Sequence, residues 1–250
     1  MIPIHGTVIT IGTSDGPVDA YLARPAGGSS RPAVLLFSDA FGLRPPVKSM
    51  ADRIAAETER IVLVPNLLYR HGQAPVVPLP HVIDDRTRAA VWRTLRPVLR
   101  SLTPDLAMRD AGKYLAWLES SPDVLAGPVA LVGYCIGARL ALLTAGTYPQ
   151  RVAKVAGFHG GRLATDDVDS PHLVAPQITA ELYFAHADKD PSLPLEQVRR
   201  LENALTAAGV RHLSEVYWGA HHGFTQADTD AYDTKADARH WAALFRLLKG

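Results

Sequence analysis

The stretch that decides the fold is Leu131-Val132-Gly133-Tyr134-Cys135-Ile136-Gly137, where an apolar strand runs into a cysteine between two glycines. Two glycines spaced this way around a nucleophile are typical of a tight turn from a strand into a helix, whose central side chain projects into a cleft. A lone cysteine is more often a small buried hydrophobic residue. Here the strand, the glycines and the following helix instead predict that Cys135 is a nucleophile, with its thiolate favoured by the positive end of the helix dipole.

On both sides of this turn, short β-branched runs alternate with longer amphipathic stretches. Strands are predicted at residues 8–11, 18–23, 33–37, 61–64, 129–132, 152–158, 182–185 and 216–218, the first two as a hairpin-like pair. Helices are predicted at residues 46–58, 87–102, 105–119, 138–147, 195–208 and 232–249, with Leu106, Tyr114 and Trp117 of the third facing inward. The pattern predicts a single α/β domain over residues 1–250, with a mostly parallel sheet of about seven to eight strands and helices on both faces.

The composition limits which kinds of binding partner can be expected. Lys and Arg number 26 and Asp and Glu number 25, so no large field of one sign attracts nucleic acid or an anionic membrane. The N-terminal residues lack the basic and apolar stretches of a secretory signal, and no apolar run is long enough to span a membrane. The single cysteine rules out an intrachain disulfide and is consistent with a reducing compartment. We therefore predict a cytoplasmic protein that binds neither nucleic acid nor membrane.

Candidates for an acid and a base follow the last two predicted strands. Asp188 and Asp190 both follow the strand at residues 182–185, and His221 and His222 both follow the strand that ends at Trp218. The carboxyl ends of parallel strands meet at one edge of a sheet, so either acid can reach the cleft. A carboxylate there would orient a histidine and stabilise its protonated form.

Four segments of the chain resemble the dienelactone hydrolase family, whose members are cysteine-nucleophile α/β-hydrolases. They are Asp39-Ala40-Phe41-Gly42, the Cys135 turn, Asp190-Pro191-Ser192-Leu193-Pro194 and His222-Gly223-Phe224. The resemblance extends from Ala33 to the last helix and implies an α/β-hydrolase fold. It also implies that Asp190, rather than Asp188, is the acid and that His222 is the base. His221 is then expected to be a neighbouring wall residue.

The turn also predicts how an oxyanion would be bound. The amide that follows the nucleophile, Ile136, is one expected donor. The resemblance implies that the amide of Ala40 is the second. In the family a glutamate precedes this amide and helps to regulate ionisation of the thiol. Asp39 occupies that position here, and its side chain is one methylene shorter.

Further candidates concern the substrate. Phe41, Tyr134 and His159 are candidate pocket residues, and His186 is expected to be a satisfied histidine at a strand end. Family members hold a substrate carboxylate with one arginine after the fourth strand and another four residues past the catalytic histidine. The second position is Gln226 here, and the first region offers four plausible arginines, Arg70, Arg86, Arg88 and Arg93, of which Arg86 and Arg93 are the named candidates.

The predicted function is hydrolysis of an enol lactone or an activated carboxylic ester through a thioester on Cys135, the carboxymethylenebutenolidase type of reaction. No metal or organic cofactor is expected, because the histidines lack a metal-ligand spacing. One alternative is a general carboxylesterase or thioesterase on the same fold. Another is a non-catalytic relative that only binds a ligand.

Overall fold

Eight strands form the central sheet in this computed structural model, which describes residues 2–250. They are β1 (Ile4–Thr13), β2 (Gly16–Pro25), β3 (Ala33–Phe37), β4 (Ile61–Pro65), β5 (Val129–Tyr134), β6 (Val152–Phe158), β7 (Glu181–Lys189) and β8 (His212–His221). Their order across the sheet is β1-β2-β4-β3-β5-β6-β7-β8. The pairs β1–β2 and β2–β4 are antiparallel and every other pair is parallel, which confirms the predicted hairpin and the mostly parallel sheet.

Helices cover both faces of this sheet. They are α1 (Pro45–Thr58), α2 (Arg88–Arg100), α3 (Pro104–Ser120), α4 (Ile136–Thr147), α5 (Leu195–Ala207) and α6 (Thr234–Lys249). The helices α1 and α6 pack in one apolar cluster against one face, and α3, α4 and α5 pack in a second cluster against the other. The middle strands β3, β4 and β5 are buried along their whole length, as expected for parallel strands covered on both sides.

The inward face of α3 differs from the one predicted. Tyr114 is buried, but Leu106 and Trp117 are only half-buried. The buried stripe instead includes Ala107 and Ala111. Leu115 and Leu118 lie on the same buried stripe as Tyr114, so the inward face of α3 is rotated away from Leu106 and Trp117.

The parallel strands all end at one edge of the sheet, and the loops after them build the candidate site. β3 leads to Asp39, β5 to Cys135, β6 to His159, β7 to Asp190 and β8 to His222. In open α/β sheets, ligands bind at this carboxyl edge. No helix in residues 2–250 is long and apolar enough to cross a membrane.

Candidate active site

Cys135 joins β5 to α4 in a strained backbone conformation, with φ 55° and ψ −117°. The two glycines around it make the turn possible. A Cβ on Gly133 would lie 2.2 Å from the carbonyl oxygen of Gly137, and a Cβ on Gly137 would lie 2.2 Å from the carbonyl oxygen of Phe37. Real side chains do not approach backbone atoms so closely, so both glycines are needed for α4 to begin directly against β3 and β5.

The turn points Cys135 at a histidine that is itself held by an acid. The Sγ atom of Cys135 lies 3.0 Å from Nε2 of His222. On the other side of the ring, Nδ1 of His222 lies 2.6 Å from Oδ2 of Asp190. The three residues come from loops after three different strands, and they meet in the order cysteine, histidine and aspartate, an arrangement typical of a nucleophile–base–acid triad.

Asp190 is fixed by its own loop. Its Oδ1 accepts hydrogen bonds from the Ser192 amide at 2.8 Å and from the Ser192 hydroxyl at 2.6 Å. These two donors occupy one carboxylate oxygen and leave the other for His222. Because Asp190 is only 5% exposed, this carboxylate is oriented by the protein rather than by water.

The surroundings of His222 favour its protonated form. Burial acts to lower the pKa of His222, but the adjacent Cys135 sulfur and Asp190 carboxylate raise it to about 11. Burial likewise acts to raise the pKa of Asp190, and the hydrogen bond and charge of His222 lower it. The protonated ring can donate one N–H to the carboxylate and the other to the sulfur.

Two backbone amides are the candidates for an oxyanion site. Ile136 is the first residue of α4, so its N–H has no acceptor within the helix. The N–H of Ala40, in the turn after β3, finds no acceptor among residues 2–250. Ala40 lines the same cavity as Cys135. Both amides are thus free to receive a negatively charged oxygen.

Asp39 also lines this cavity, but its carboxylate is engaged elsewhere. Arg44 donates to both oxygens, from Nη1 to Oδ1 at 2.7 Å and from Nη2 to Oδ2 at 2.9 Å. The Phe41 amide donates to Oδ1 at 3.0 Å. Within the described chain no hydrogen bond joins Asp39 to Cys135. The thiol-modulating role that the family resemblance implies for Asp39 therefore has no hydrogen bond to the sulfur to support it, and it stays a prediction.

A cavity of about 60 Å³ lies in front of Cys135. Two of the candidate substrate-binding residues, Phe41 and His159, line it. The Nε2 atom of His159 lies 2.7 Å from the Thr225 hydroxyl. Burial and the nearby His222 lower the pKa of His159 well below 6.5, so this ring presents a neutral polar wall.

Three other candidates lie outside the cavity. Arg86 and Arg93 are exposed on the surface around α2 and do not line it. Tyr134 is 1% exposed, and its hydroxyl lies 2.9 Å from Nε2 of His240. As the last residue of β5, Tyr134 packs in the cluster with α1 and α6, on the opposite side of the strand from the cleft.

The helix α2 brings two residues to the cavity. Trp92, which the sequence analysis missed, lines it with its ring centroid 5.7 Å from that of Phe41. Arg88, one turn earlier in the same helix, lines the cavity and forms an ion pair with Asp230. Their spacing of four residues on an amphipathic helix is a signal that could have grouped them. Arg70 lies elsewhere and pairs with Asp15 and Asp110.

The remaining acid and histidine candidates take other places. Asp188 lies inside β7, which extends beyond the predicted strand end, and its Oδ1 has no partner within residues 2–250. His221 ends β8 as an exposed residue outside the cavity. His186 is buried, with Nε2 2.9 Å from the Ser214 hydroxyl, while its Nδ1 has no partner within the described chain. It is therefore only half satisfied.

His186 is expected to make stability depend on pH. Burial lowers the pKa of His186 from 6.5 to about 4. Between these two pH values His186 binds a proton in the unfolded chain but not in the folded chain. The stabilising effect of the neutral ring is present above pH 6.5 and is lost as the pH falls towards 4. We expect about 2 kcal/mol of unfolding free energy to be lost through this residue between pH 7 and pH 5.

Urea unfolding at the two pH values tests this expectation. His186→Gln should lose correspondingly less stability on acidification, while His81→Gln, a change at an exposed histidine, should behave as the wild type does. An equal loss in His186→Gln and the wild type would contradict the assignment.

The sheet, the strained cysteine turn and the histidine-acid pair define a hydrolase of the α/β-hydrolase class. The family model of the dienelactone hydrolase family matches residues 18–250, and the chain belongs to that family. By that membership it is a hydrolase acting on esters or lactones.

Individual relatives agree with this placement. The chain is 25% identical over 251 residues to a Synechocystis sp. protein named "Putative carboxymethylenebutenolidase", covering 99% of this chain and 98% of that one. It is 27% identical over 237 residues to the "Probable 2-oxo-3-(5-oxofuran-2-ylidene)propanoate lactonase" of Bradyrhizobium sp., covering 93% and 89%. The crystal structure of a "Putative Dienelactone Hydrolase" from Klebsiella pneumoniae superposes with a TM-score of 0.82 at 20% identity, covering 98% of each chain, and so shares the fold.

Proposed function

We propose that this protein hydrolyses an enol lactone or an activated carboxylic ester through a thioester on Cys135. The observation that carries the proposal is the contact chain from Sγ of Cys135 to Nε2 of His222 at 3.0 Å and from Nδ1 of His222 to Asp190 at 2.6 Å. The names of the two relatives, a carboxymethylenebutenolidase and a lactonase, support a lactone as the substrate class.

In the first half of the reaction the thiolate of Cys135 attacks the carbonyl carbon. The carbonyl electron pair moves onto oxygen, where the amides of Ala40 and Ile136 stabilise the negative charge. The carbon–oxygen bond of the ester then breaks, and the leaving oxygen takes the Nε2 proton of His222, either as it departs or, if it departs as an enolate, directly afterwards, which leaves His222 neutral. The products are a thioester on Cys135 and, for a lactone, a tethered enol.

In the second half, water hydrolyses the thioester. Neutral His222 takes a proton from water as its oxygen attacks the thioester carbon, and the same two amides bind the new oxyanion. Collapse of this intermediate breaks the carbon–sulfur bond, releases the acid and returns the thiolate beside protonated His222. Asp190 keeps the ring oriented and stabilises its positive charge.

The choice of sulfur limits the substrates. In the first intermediate, thiolate and substrate oxygen compete to leave, and sulfur departs more readily than an ordinary alkoxide. An enolate or a phenolate leaves well enough to win that competition. The flat walls formed by Phe41 and Trp92 also suit a planar unsaturated ring. Both considerations favour enol lactones and aryl esters over simple alkyl esters.

A panel of an enol lactone, an aryl ester, an alkyl ester and a thioester, assayed in parallel with purified protein, tests the substrate class. We expect the enol lactone and the aryl ester to have the highest kcat/KM. A general carboxylesterase would cleave the alkyl ester equally well, and a thioesterase would prefer the thioester. Binding of these compounds without turnover would support the non-catalytic alternative.

The charge of the substrate gives a second expected result. Arg88 is the cavity arginine, but its pairing with Asp230 already offsets its charge, and Gln226 adds none. We expect a dienelactone to be preferred over its methyl ester by only about tenfold in kcat/KM, near the low end for one hydrogen bond to a charged group.

Two variants test whether Arg88 causes the preference for the carboxylated substrate. Arg88→Gln should remove it, whereas Arg96→Gln, a change at an exposed position of the same helix, should leave it intact. A preference above about a thousandfold, near 4 kcal/mol, would show that another basic residue binds the carboxylate.

A further inference from the structure

Arg44 is a buried arginine that the mechanism above does not use. It precedes the first turn of α1 and is only 4% exposed. Its guanidinium is saturated with acceptors: both oxygens of Asp39, both oxygens of Asp228, the side-chain oxygen of Gln226 and the carbonyl of Gly42. The two carboxylates raise the pKa of Arg44 although burial acts to lower it, so the group stays charged.

These contacts join the two loops that border the cavity. Asp39 belongs to the turn that carries the Ala40 amide, whereas Gln226 and Asp228 belong to the loop that continues from His222. The distances are short: Nε of Arg44 lies 2.6 Å from Oδ2 of Asp228, and its Nη2 lies 3.0 Å from Oε1 of Gln226. We call Asp39, Arg44, Gln226 and Asp228 the Arg44 clamp.

Asp39 connects the Arg44 clamp to the turn that contains Ala40. One carboxylate oxygen accepts both from Arg44 and from the Phe41 amide, and the Asp39 carbonyl accepts from the Gly42 amide at 3.1 Å. These bonds fix the turn on both sides of Ala40 and leave the Ala40 N–H free. A preorganised donor of this kind is what an oxyanion site needs, because it pays no reorganisation when charge develops.

We propose that Arg44 is a positioning residue that, through Asp39, holds the Ala40 amide in place for the oxyanion, and that Asp39 does not regulate the thiol. This inference rests on the proposed thioester mechanism. The inference distinguishes the reactivity of the thiolate from the stabilisation of the oxyanion. Ester hydrolysis needs both the thiolate and the oxyanion donors, but alkylation of Cys135 by iodoacetamide needs only the thiolate.

The test compares these two reactions in Arg44→Lys. Lysine keeps the positive charge but cannot form the planar fork that reaches both carboxylates. We expect kcat for p-nitrophenyl acetate to fall by about tenfold to a hundredfold, as for a small displacement of a catalytic group. The KM, the rate of iodoacetamide alkylation and the pH profile of that rate should stay at wild-type values.

Arg70→Lys is the matched control, because Arg70 also bridges two aspartates, Asp15 and Asp110, but away from the cavity. It should leave kcat unchanged. Asp228→Asn removes one carboxylate and leaves the Arg44–Asp39 pair intact; it should lower kcat less than Arg44→Lys does, and it decides the question if Arg44→Lys does not fold.

Two results would overturn the inference. The first is that kcat falls no more in Arg44→Lys than in Arg70→Lys. If Arg44→Lys does not fold, the same comparison is made with Asp228→Asn in its place. The second is a shifted pH profile of alkylation in Asp39→Asn, which would show that Asp39 acts on the thiol. Failure of the thioester mechanism itself would appear separately, as wild-type protein that still hydrolyses the ester after Cys135 is alkylated.

Discussion

Replacing Cys135 by alanine is expected to lower kcat/KM for p-nitrophenyl acetate by about 10⁴- to 10⁶-fold, the range found when one member of a catalytic unit is removed. Without sulfur no thioester can form, and the amides of Ala40 and Ile136 are left with only a weakly activated water. His222→Ala should cost a similar amount, because the thiolate then loses the proton donor 3.0 Å away.

The double variant sharpens this expectation. If Cys135 and His222 act as one unit, Cys135→Ala combined with His222→Ala should be no less active than either single variant. Since Cys135 is the only cysteine of the chain, alkylation by iodoacetamide provides an independent check and should abolish hydrolysis in proportion to labelling. Multiplicative losses in the double variant, or full activity after complete alkylation, would contradict the mechanism.

Asp190→Asn is expected to produce the second large effect, a decrease in kcat of about 10³- to 10⁴-fold with the fold intact. An amide at this position can hold the ring but cannot stabilise its positive charge, and it favours the wrong tautomer. The Ser192 hydroxyl and amide now bonded to Oδ1 would remain, so the loop itself should keep its conformation.

Asp188→Asn is the matched control for this change, two residues upstream. Asp188 lies within β7 and forms no hydrogen bond with His222 among the described residues, so this variant should keep most of its activity. Circular dichroism and thermal melting would verify that both variants fold. The opposite ranking would make Asp188 the acid and leave the assignments of Cys135 and His222 unchanged.

The sequence was sufficient where local backbone chemistry dictates the structure. Gly133 and Gly137 can be recognised as the flanks of a strained turn without coordinates, because a side chain at either position would meet backbone atoms. The order of strands after this turn then predicts that the loops carrying Asp190 and His222 reach Cys135. The structure brings these three side chains together, and the fold class predicted from the alternating pattern is confirmed.

Contacts between loops that are distant in the chain could not be predicted from the sequence. Arg44 follows the turn of Asp39 closely, but its pairing with Asp228 spans the chain and depends on how two loops pack. Trp92 likewise lines the cavity only because α2, in the segment between β4 and α3, packs against the site. Tyr134 is a candidate pocket residue in the sequence analysis, yet it packs in the cluster with α1 and α6.

Trapping the acyl-enzyme tests the central claim most directly. Protein mixed with p-nitrophenyl acetate and quenched in acid within the first turnover should carry one acetyl group per chain, and peptide mass spectrometry should locate it on Cys135. The same sample should show a burst of one nitrophenolate per active site before slower turnover. Continued hydrolysis with no acetyl group on Cys135, or with the acetyl group on another residue, would contradict the account.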